Sequence, residues 1–396
     1  MIQTKRKIGC VIAYNENHNN YGTSLQGYAT LKKIQDLGYE CEVIYYVKEL
    51  TLKQKISFIV NALRVGEVKT LYRRYTQKHI FKKYPHYDKE IAERTKAVNE
   101  YKNKKLKPLF HEYIGYNALR EGSKNYSAII VGSDQVWTPM SLPNKYFNLL
   151  FVDDSTPQIA YASSFGVSTI PNFQKRRTGA FLDRFAHIGV REQQGKEIVD
   201  SLSHKKAKVV VDPTMLLTRE EWELEIIDST IIKKEPYIFC YFLGTNQEAR
   251  RAVNELKNET GYKIITIRHM DEYVPDDEDF GDEAPYYVNP NDFIKYISQA
   301  TYVCTDSFHC SVFSILFHRQ FITFYRFPNA SKTSRNSRID SLFTTLSIEH
   351  ERIYKGEIVK TINRKIDFVT VEKHLDSLRE DSIIFLSNAL KQQTQI

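Results

Sequence analysis

Short apolar runs alternate along this chain with stretches whose apolar residues recur at helical spacing. Ile8 to Tyr14 is a continuous apolar run, the pattern of a strand buried on both faces of a parallel sheet. A polar loop from Asn15 to Asn20 follows, then Tyr21-Gly22-Thr23. From there Leu25, Tyr28, Ala29 and Leu37 predict a helix that Gly38 stops. Cys41 to Tyr46 is the next strand. This strand-helix-strand succession predicts a doubly wound α/β unit, with Gly22 in the first strand-to-helix loop, where such sheets bind ligands. The dinucleotide fingerprint G-x-G-x-x-G is absent.

Further strands are predicted over 128–131, 158–162, 187–190 and 207–211. Each ends in small, polar or charged residues: Gly132-Ser133-Asp134, Ser163-Ser164, Arg191-Glu192 and Asp212-Pro213-Thr214. The carboxyl ends of strands in open α/β sheets line the ligand crevice, so these positions lead as site candidates. For Asp212-Pro213-Thr214 a tight turn closing the unit is the preferred reading, with a boundary near Thr218. A second α/β unit is predicted from the Tyr237–Leu243 strand, a helix over 247–258, a strand over 263–267, a helix over 291–300, and strands at 302–304 and 321–325. The acidic run Asp271 to Glu283 lacks calcium-loop spacing and predicts a solvated loop.

One stretch of the second unit carries more chemistry than the rest. Thr305, Asp306 and Ser307 precede an apolar run with Val312, Phe313, Ile315 and Leu316, which marks a helix start. His309 then falls in the first turn, beside free N–H groups and the positive end of the helix dipole, a ready anion site. The alternative is that Asp306 and Ser307 only cap the helix and His309 lies on the surface.

Composition changes this picture in a few respects. At 396 residues the chain can hold two full cores, and 42% hydrophobic with 26% charged residues is the balance of a globular protein. The five cysteines contain no C-x-x-C pair, which argues for a reducing compartment and against a zinc site or a disulfide framework. Lys5, Arg6 and Lys7 precede only a strand-length apolar run, so neither a signal peptide nor a membrane span is expected. The expected location is cytoplasmic. The net charge of +8 is uneven, because residues 48–125 hold 19 lysines and arginines against 8 acidic residues. Residues 51–125 are predicted as a largely helical insertion, with Phe58, Leu63, Leu71, Tyr75 and Phe81 spaced through basic sequence. A solvated face whose lysine and arginine stems cover apolar surface is preferred there. Contact with an anionic membrane comes second, and nucleic acid last, since no such motif accompanies the charge.

Taken together, Asn20-Tyr21-Gly22, Gly132-Ser133-Asp134-Gln135-Val136-Trp137, Tyr161 to Gly166, Val190-Arg191-Glu192, Val211 to Thr214, Thr305 to His309 and Asn336-Ser337-Arg338-Ile339 resemble the polysaccharide pyruvyl transferase family over roughly residues 8–350. The family's usual glycine after the histidine is Cys310 here, which is expected to narrow the pocket or to alter the donor's approach. The resemblance implies a GT-B-like α/β fold, two Rossmann-like domains facing across a cleft. Residues 1–218 would form the acceptor side, with the basic helical insertion, and 219–396 the donor side with C-terminal helices. It implies transfer of the enolpyruvyl group of phosphoenolpyruvate onto two hydroxyls of a sugar in surface or capsular polysaccharide assembly, with no cofactor and no metal.

That donor carries a phosphate and a carboxylate, which arginine forks bind in pairs. Arg191, Ser307, His309, Arg335 and Arg338 are therefore expected to bind phosphoenolpyruvate. His309 is the expected acid or phosphate ligand and Asp134 the base for the sugar hydroxyl, unless Asp134 only caps a helix leading to Trp137. Asn20, Gly22, Ser133, Asp134 and Ser164 are expected on the acceptor side. A lipid-pyrophosphate-linked acceptor and a peripheral contact of residues 48–125 with the inner face of the membrane complete the expectation. Two rivals stay open: a GT-B glycosyltransferase using a nucleotide-sugar, and a non-enzymatic membrane-associated scaffold of polysaccharide assembly.

Overall fold

The apolar runs are continuous because the strands they form lie inside parallel sheets covered on both faces. The computed structural model describes residues 7–16, 19–48, 52–67, 72, 76, 83–270, 273–326, 336–348 and 352–394. Seven parallel strands, β1 (Lys7–Val11), β2 (Glu40–Val47), β3 (Phe110–Ile114), β4 (Ala128–Val131), β5 (Gln158–Ser163), β6 (His187–Val190) and β7 (Ala207–Val209), form one sheet in the order β3-β2-β1-β4-β5-β6-β7. Four more, β8 (Tyr237–Tyr241), β9 (Lys263–Thr266), β10 (Tyr302–Thr305) and β11 (Gln320–Thr323), form a second parallel sheet in the order β11-β10-β8-β9. Every residue of β4, β5 and β8 is buried. The architecture is GT-B-like.

In each sheet the strand order reverses once, between β1 and β4 in the first and between β8 and β10 in the second. A crevice opens at such a reversal because the connections on either side leave in opposite directions. Helix Tyr21–Asp36 follows β1, and helix Phe308–Leu316 follows β10. Tyr21 stacks on Phe293 of the second unit with ring centroids 4.5 Å apart, and its hydroxyl donates to the Val288 carbonyl at 3.0 Å. Trp222 meets Phe313 edge-on at 5.1 Å. One apolar core therefore runs through the junction of the two units.

Three departures from the sequence reading are informative. The first helix begins at Tyr21, so Gly22 sits in its first turn rather than in a loop. The insertion is not wholly helical. After helices Leu52–Val65 and Pro85–Lys105 it adds β3 to the edge of the first sheet, paired with β2. The basic helix Pro85–Lys105 is also not simply a solvated face. Arg94 is fully buried and donates from Nε to the Tyr286 carbonyl (2.6 Å), from Nη2 to Pro285 (3.0 Å) and from Nη1 to Arg268 (3.3 Å), all in the second unit. Lys102 is buried too and donates to the Asn15 and Glu16 carbonyls beyond β1. This helix braces the two units against each other.

The acidic run is likewise partly structural: Arg250 forks onto Oδ1 of buried Asp277 at 2.9 and 2.7 Å, and the Ile264 amide donates to Asp282 at 2.8 Å. The last helix, Phe368–Thr394, returns to the first sheet rather than staying with the second. There Ser382 accepts from the Val211 amide at 3.1 Å, and Phe385 lies against Gly189 of β6.

Replacing Arg94 by alanine removes three charge-assisted hydrogen bonds and strands three carbonyls. We expect a loss on the order of 3 kcal/mol in urea unfolding, with the two units separating at lower denaturant than in the wild type. An unchanged midpoint would show that the brace carries no energy.

Candidate functional site

Both strand-order reversals place their polar residues in the same cleft. At the first, Thr23 Oγ1 from the helix after β1 donates to Asp134 Oδ2 beyond β4 at 3.0 Å. The Gln135 amide donates to the other Asp134 oxygen at 2.8 Å. No helix follows Asp134; turns run from there through Trp137, so it is not a helix cap. Its backbone is left-handed, with φ of 83°, a conformation that aspartate tolerates better than most residues and that strains a chain only where something holds it. Burial alone would raise its pKa, but Arg191, His309, the Gln135 amide and Arg338 hold it below the usual carboxylate value.

At the second reversal Asp306 closes the crevice. Its carboxylate accepts from the Leu243 amide at 2.7 Å and the Gly244 amide at 2.8 Å, and its carbonyl accepts from Arg326 at 3.0 Å. Ser307 caps the following helix by accepting from the Cys310 amide at 3.5 Å. Cys310, expected to narrow the pocket, is instead fully buried in the core, and burial pushes its thiol pKa up. His309 is buried rather than on the surface, and its ring is fixed from two sides. A Cβ on Gly22 would fall 2.1 Å from Nδ1, so only glycine lets the ring lie against the first helix. Nε2 points at Asp212 Oδ2, 3.6 Å away.

Asp212 is the residue that the sequence reading undervalues. It is completely buried. Oδ1 accepts from the Thr214 amide (3.0 Å) and hydroxyl (2.8 Å), which makes the expected turn. Oδ2 accepts from Ser133 Oγ and from Arg191 Nη1, each at 2.9 Å, and faces His309. Burial by itself would raise its pKa, yet His309 and Arg191 hold it well below the carboxylate range. Burial also works against the charge on Arg191, and Asp212, Glu192 and Asp134 outweigh it to raise the pKa.

The remaining candidates sort by what they touch. Ser133 and Ser164 turn inward, Ser133 to Asp212 and Ser164 to Glu192 Oε1, so both hydroxyls hold carboxylates. Asn20 caps the first helix by accepting from the Thr23 amide at 3.2 Å. Arg338 joins the cluster: the Phe308 ring has the Arg191 guanidinium 4.7 Å from its centroid and that of Arg338 5.9 Å away. Burial first, then the like charges of Arg191 and Arg326, push its pKa down to about 9, still charged at neutral pH. Arg335 lies outside the described residues. Glu192 sits at a strand end, as its place in the sequence predicts, whereas Thr23 and Phe308 act through partners distant in sequence and carry no local signal of their role.

Nε and Nη2 of Arg191 and Nε2 of His309 are buried and make no hydrogen bond among the described residues. Nε faces Glu192 Oε2 at 3.7 Å and Nε2 faces Asp212 Oδ2 at 3.6 Å, both ion-pair distances. Buried donors are costly when unsatisfied, so Nη2 of Arg191 is the group best placed to take a further acceptor. Beside Arg191 a small cavity of about 60 Å³ has Arg191, Glu192, Asp212 and Arg338 at its polar end and Met215 and Leu342 on its apolar wall; His309 and Asp134 do not line it. Among the described residues no group of three or more His, Cys, Asp or Glu side chains is arranged to hold a metal ion.

The family described as polysaccharide pyruvyl transferase is matched over residues 20–326. No curated protein is matched. Among solved structures, a UDP-GlcNAc 2-epimerase from Neisseria meningitidis is similar at 8% identity and a TM-score of 0.49, over 98% of this chain and 100% of that one. The glycotransferase of kitacinnamycin is similar at 10% identity and a TM-score of 0.47, over 98% and 99%. These distant likenesses carry nothing about function.

Two outcomes test the geometry. Gly22→Ala should destabilise the protein, and His309→Ala in the same chain should relieve part of that loss, with a coupling of about 1–3 kcal/mol in a double-mutant cycle; additive effects would separate the two residues. Asp212→Asn should cost on the order of 3–5 kcal/mol at neutral pH, since it leaves buried cations without their carboxylate. Because the folded pKa is depressed, that contribution is complete above pH ~4 and is lost as pH falls through the folded value, so the gap to wild type should narrow on acidification. A gap that widened below pH ~4 would refute the assignment.

Proposed function

Since the chain belongs to the polysaccharide pyruvyl transferase family, we propose that it transfers the enolpyruvyl group of phosphoenolpyruvate to two hydroxyls of a sugar in surface-polysaccharide assembly, releasing phosphate. The observation that supports this most is the pairing of the Arg191 and Arg338 guanidiniums about the Phe308 ring, with Nη2 of Arg191 buried and without a hydrogen bond among the described residues. Guanidinium forks suit the phosphate and carboxylate of this donor. Arg338, whose charge is disfavoured by burial and by Arg191, is relieved when an anion arrives. Three carboxylates, Asp134, Glu192 and Asp212, lie in the same cluster, so affinity comes from oriented donors rather than from excess charge.

In this reading a proton goes to the methylene carbon of phosphoenolpyruvate, and C2 becomes electrophilic. One sugar hydroxyl adds to C2 and loses its proton. The C2–O bond to phosphate then breaks with its electron pair leaving on phosphate, and the second hydroxyl closes the ketal. Of the two hydroxyl protons, one balances the new methyl group and the other leaves with phosphate. His309, from the second unit, supplies the proton or holds the leaving phosphate, with the Asp212 carboxylate facing its ring. Asp134, from the first unit, accepts the hydroxyl proton. Its depressed pKa keeps it ionised and makes it a modest base, so its contribution lies in position. Ser133 and Ser164 act by holding Asp212 and Glu192. The protein works in the cytoplasm, where phosphoenolpyruvate is available.

Calorimetry with phosphoenolpyruvate and, separately, a UDP-sugar decides between donors. Wild type should bind phosphoenolpyruvate, and Arg338→Ala and His309→Ala should weaken it at least tenfold. Asp134→Asn should keep that affinity while losing about 10²–10⁴ in turnover, the range for a positioned acid or base. Turnover with a UDP-sugar donor, and none with phosphoenolpyruvate, would overturn the proposal.

A further inference from the structure

The second feature of the molecule that asks for a partner lies on helix Leu52–Val65, away from the charged cluster. Ile56, Ile59, Val60 and Leu63, spaced i, i+3, i+4 and i+7, make one stripe and are 54, 52, 46 and 58% exposed. Residues 54–60 are exposed on every side, Phe58 included, and the helix is seated toward its end. Asn61 and Ala62 are buried, Asn61 donates to the Pro139 carbonyl at 3.3 Å, and Gln174 donates to Asn61 at 3.1 Å. A continuous aliphatic stripe turned to solvent is uncommon unless something covers it.

Charge indicates what covers it. The helix contains no acidic residue, and on its helical wheel Lys55 and Arg64 flank the stripe on opposite sides. Both are exposed. Beside the helix a groove carries Arg64, Lys145, Arg177 and Arg184 with Phe173 and Leu150, and no carboxylate among its lining residues. Arg184 is engaged by Asp154 at 2.9 Å, which leaves Arg64, Lys145 and Arg177 toward solvent. The Arg64 guanidinium lies 3.9 Å from the centroid of the half-exposed Phe173 ring. A second copy of the same face would set these cations against their like, whereas lipid phosphates would neutralise them.

We propose that helix Leu52–Val65 and this groove seat the protein on an anionic lipid surface. The aliphatic stripe enters the boundary between headgroups and acyl chains, and the flanking cations reach the headgroup phosphates. Among the described residues no helix is long and apolar enough to cross a membrane, so the contact is peripheral. The helix leaves the carboxyl end of β2, the same edge of the sheet that carries Asp134. A lipid-carried sugar would therefore approach on the side of the cleft; that last point alone rests on the proposed function.

Vesicle flotation with the full chain tests the seat, using phosphatidylcholine alone and phosphatidylcholine with phosphatidylglycerol. Wild type should float only with the anionic vesicles, and less as salt rises. Ile59→Glu/Leu63→Glu and, separately, Lys55→Glu/Arg64→Glu should each lose at least tenfold in binding while keeping the wild-type melting temperature and affinity for phosphoenolpyruvate. Failure of the wild type to bind anionic vesicles, or wild-type binding by folded variants, would overturn the seat. A dimer in sedimentation velocity that Ile59→Glu dissolves, without vesicle binding, would assign the stripe to a second copy and also overturn it. Vesicle binding without phosphoenolpyruvate binding would leave the seat standing and sink the donor assignment instead.

Discussion

One buried oxygen atom organises the cleft. Asp212 Oδ2 accepts from Ser133 and Arg191 in the first unit and faces His309 in the second. A carboxylate with no exposure is tolerated only when paired and hydrogen-bonded, and here its partners are the groups that must be held still. The same atom therefore settles the electrostatics of Arg191, sets a negative charge against the His309 ring and ties the first unit to the second. Gly22 completes the arrangement, because any side chain there would occupy the space of the histidine ring.

The two sheets contribute by symmetry of design rather than of sequence. Each opens a crevice where its strand order reverses, and each sends a helix start into it. In the first unit the residues at that point, Thr23 and Asp134, keep a carboxylate toward the cleft. In the second, Asp306 is consumed by the Leu243 and Gly244 amides, and His309 is the side chain that faces Asp212 of the first unit. The brace formed by helix Pro85–Lys105 and the continuous core through Tyr21 and Phe293 hold the two crevices in register.

Much of this is legible in the sequence where the signal is local. The strands 128–131 and 187–190 are predicted to the residue, because each is a short run rich in apolar residues that stops at a small or charged residue, Gly132 or Arg191. β3 escapes such a reading because His111 and Glu112 interrupt the apolar residues of Phe110–Ile114 without a strand period, within basic, helix-forming sequence, and only its place beside β2 makes it a strand. Asp212 reads as a turn residue, and it is one; its second oxygen does the other work, and nothing in Asp-Pro-Thr announces a histidine nearly a hundred residues on. Arg94 and Lys102 count as charge on a solvated face in the sequence, because composition cannot tell a buried guanidinium or ammonium from an exposed one.

The return of helix Phe368–Thr394 to the first sheet bears on how the chain is made. Phe385 packs against Gly189 of β6, and Ser382 accepts from the Val211 amide just beyond β7. During synthesis the strands of the first sheet emerge well before helix Phe368–Thr394, which covers part of β6 and the segment after β7. The first sheet must therefore wait, with that apolar face bare, until this helix has been made. Vectorial folding leaves the sheet unfinished over that interval, and an unfinished sheet with exposed apolar surface is prone to misassociate.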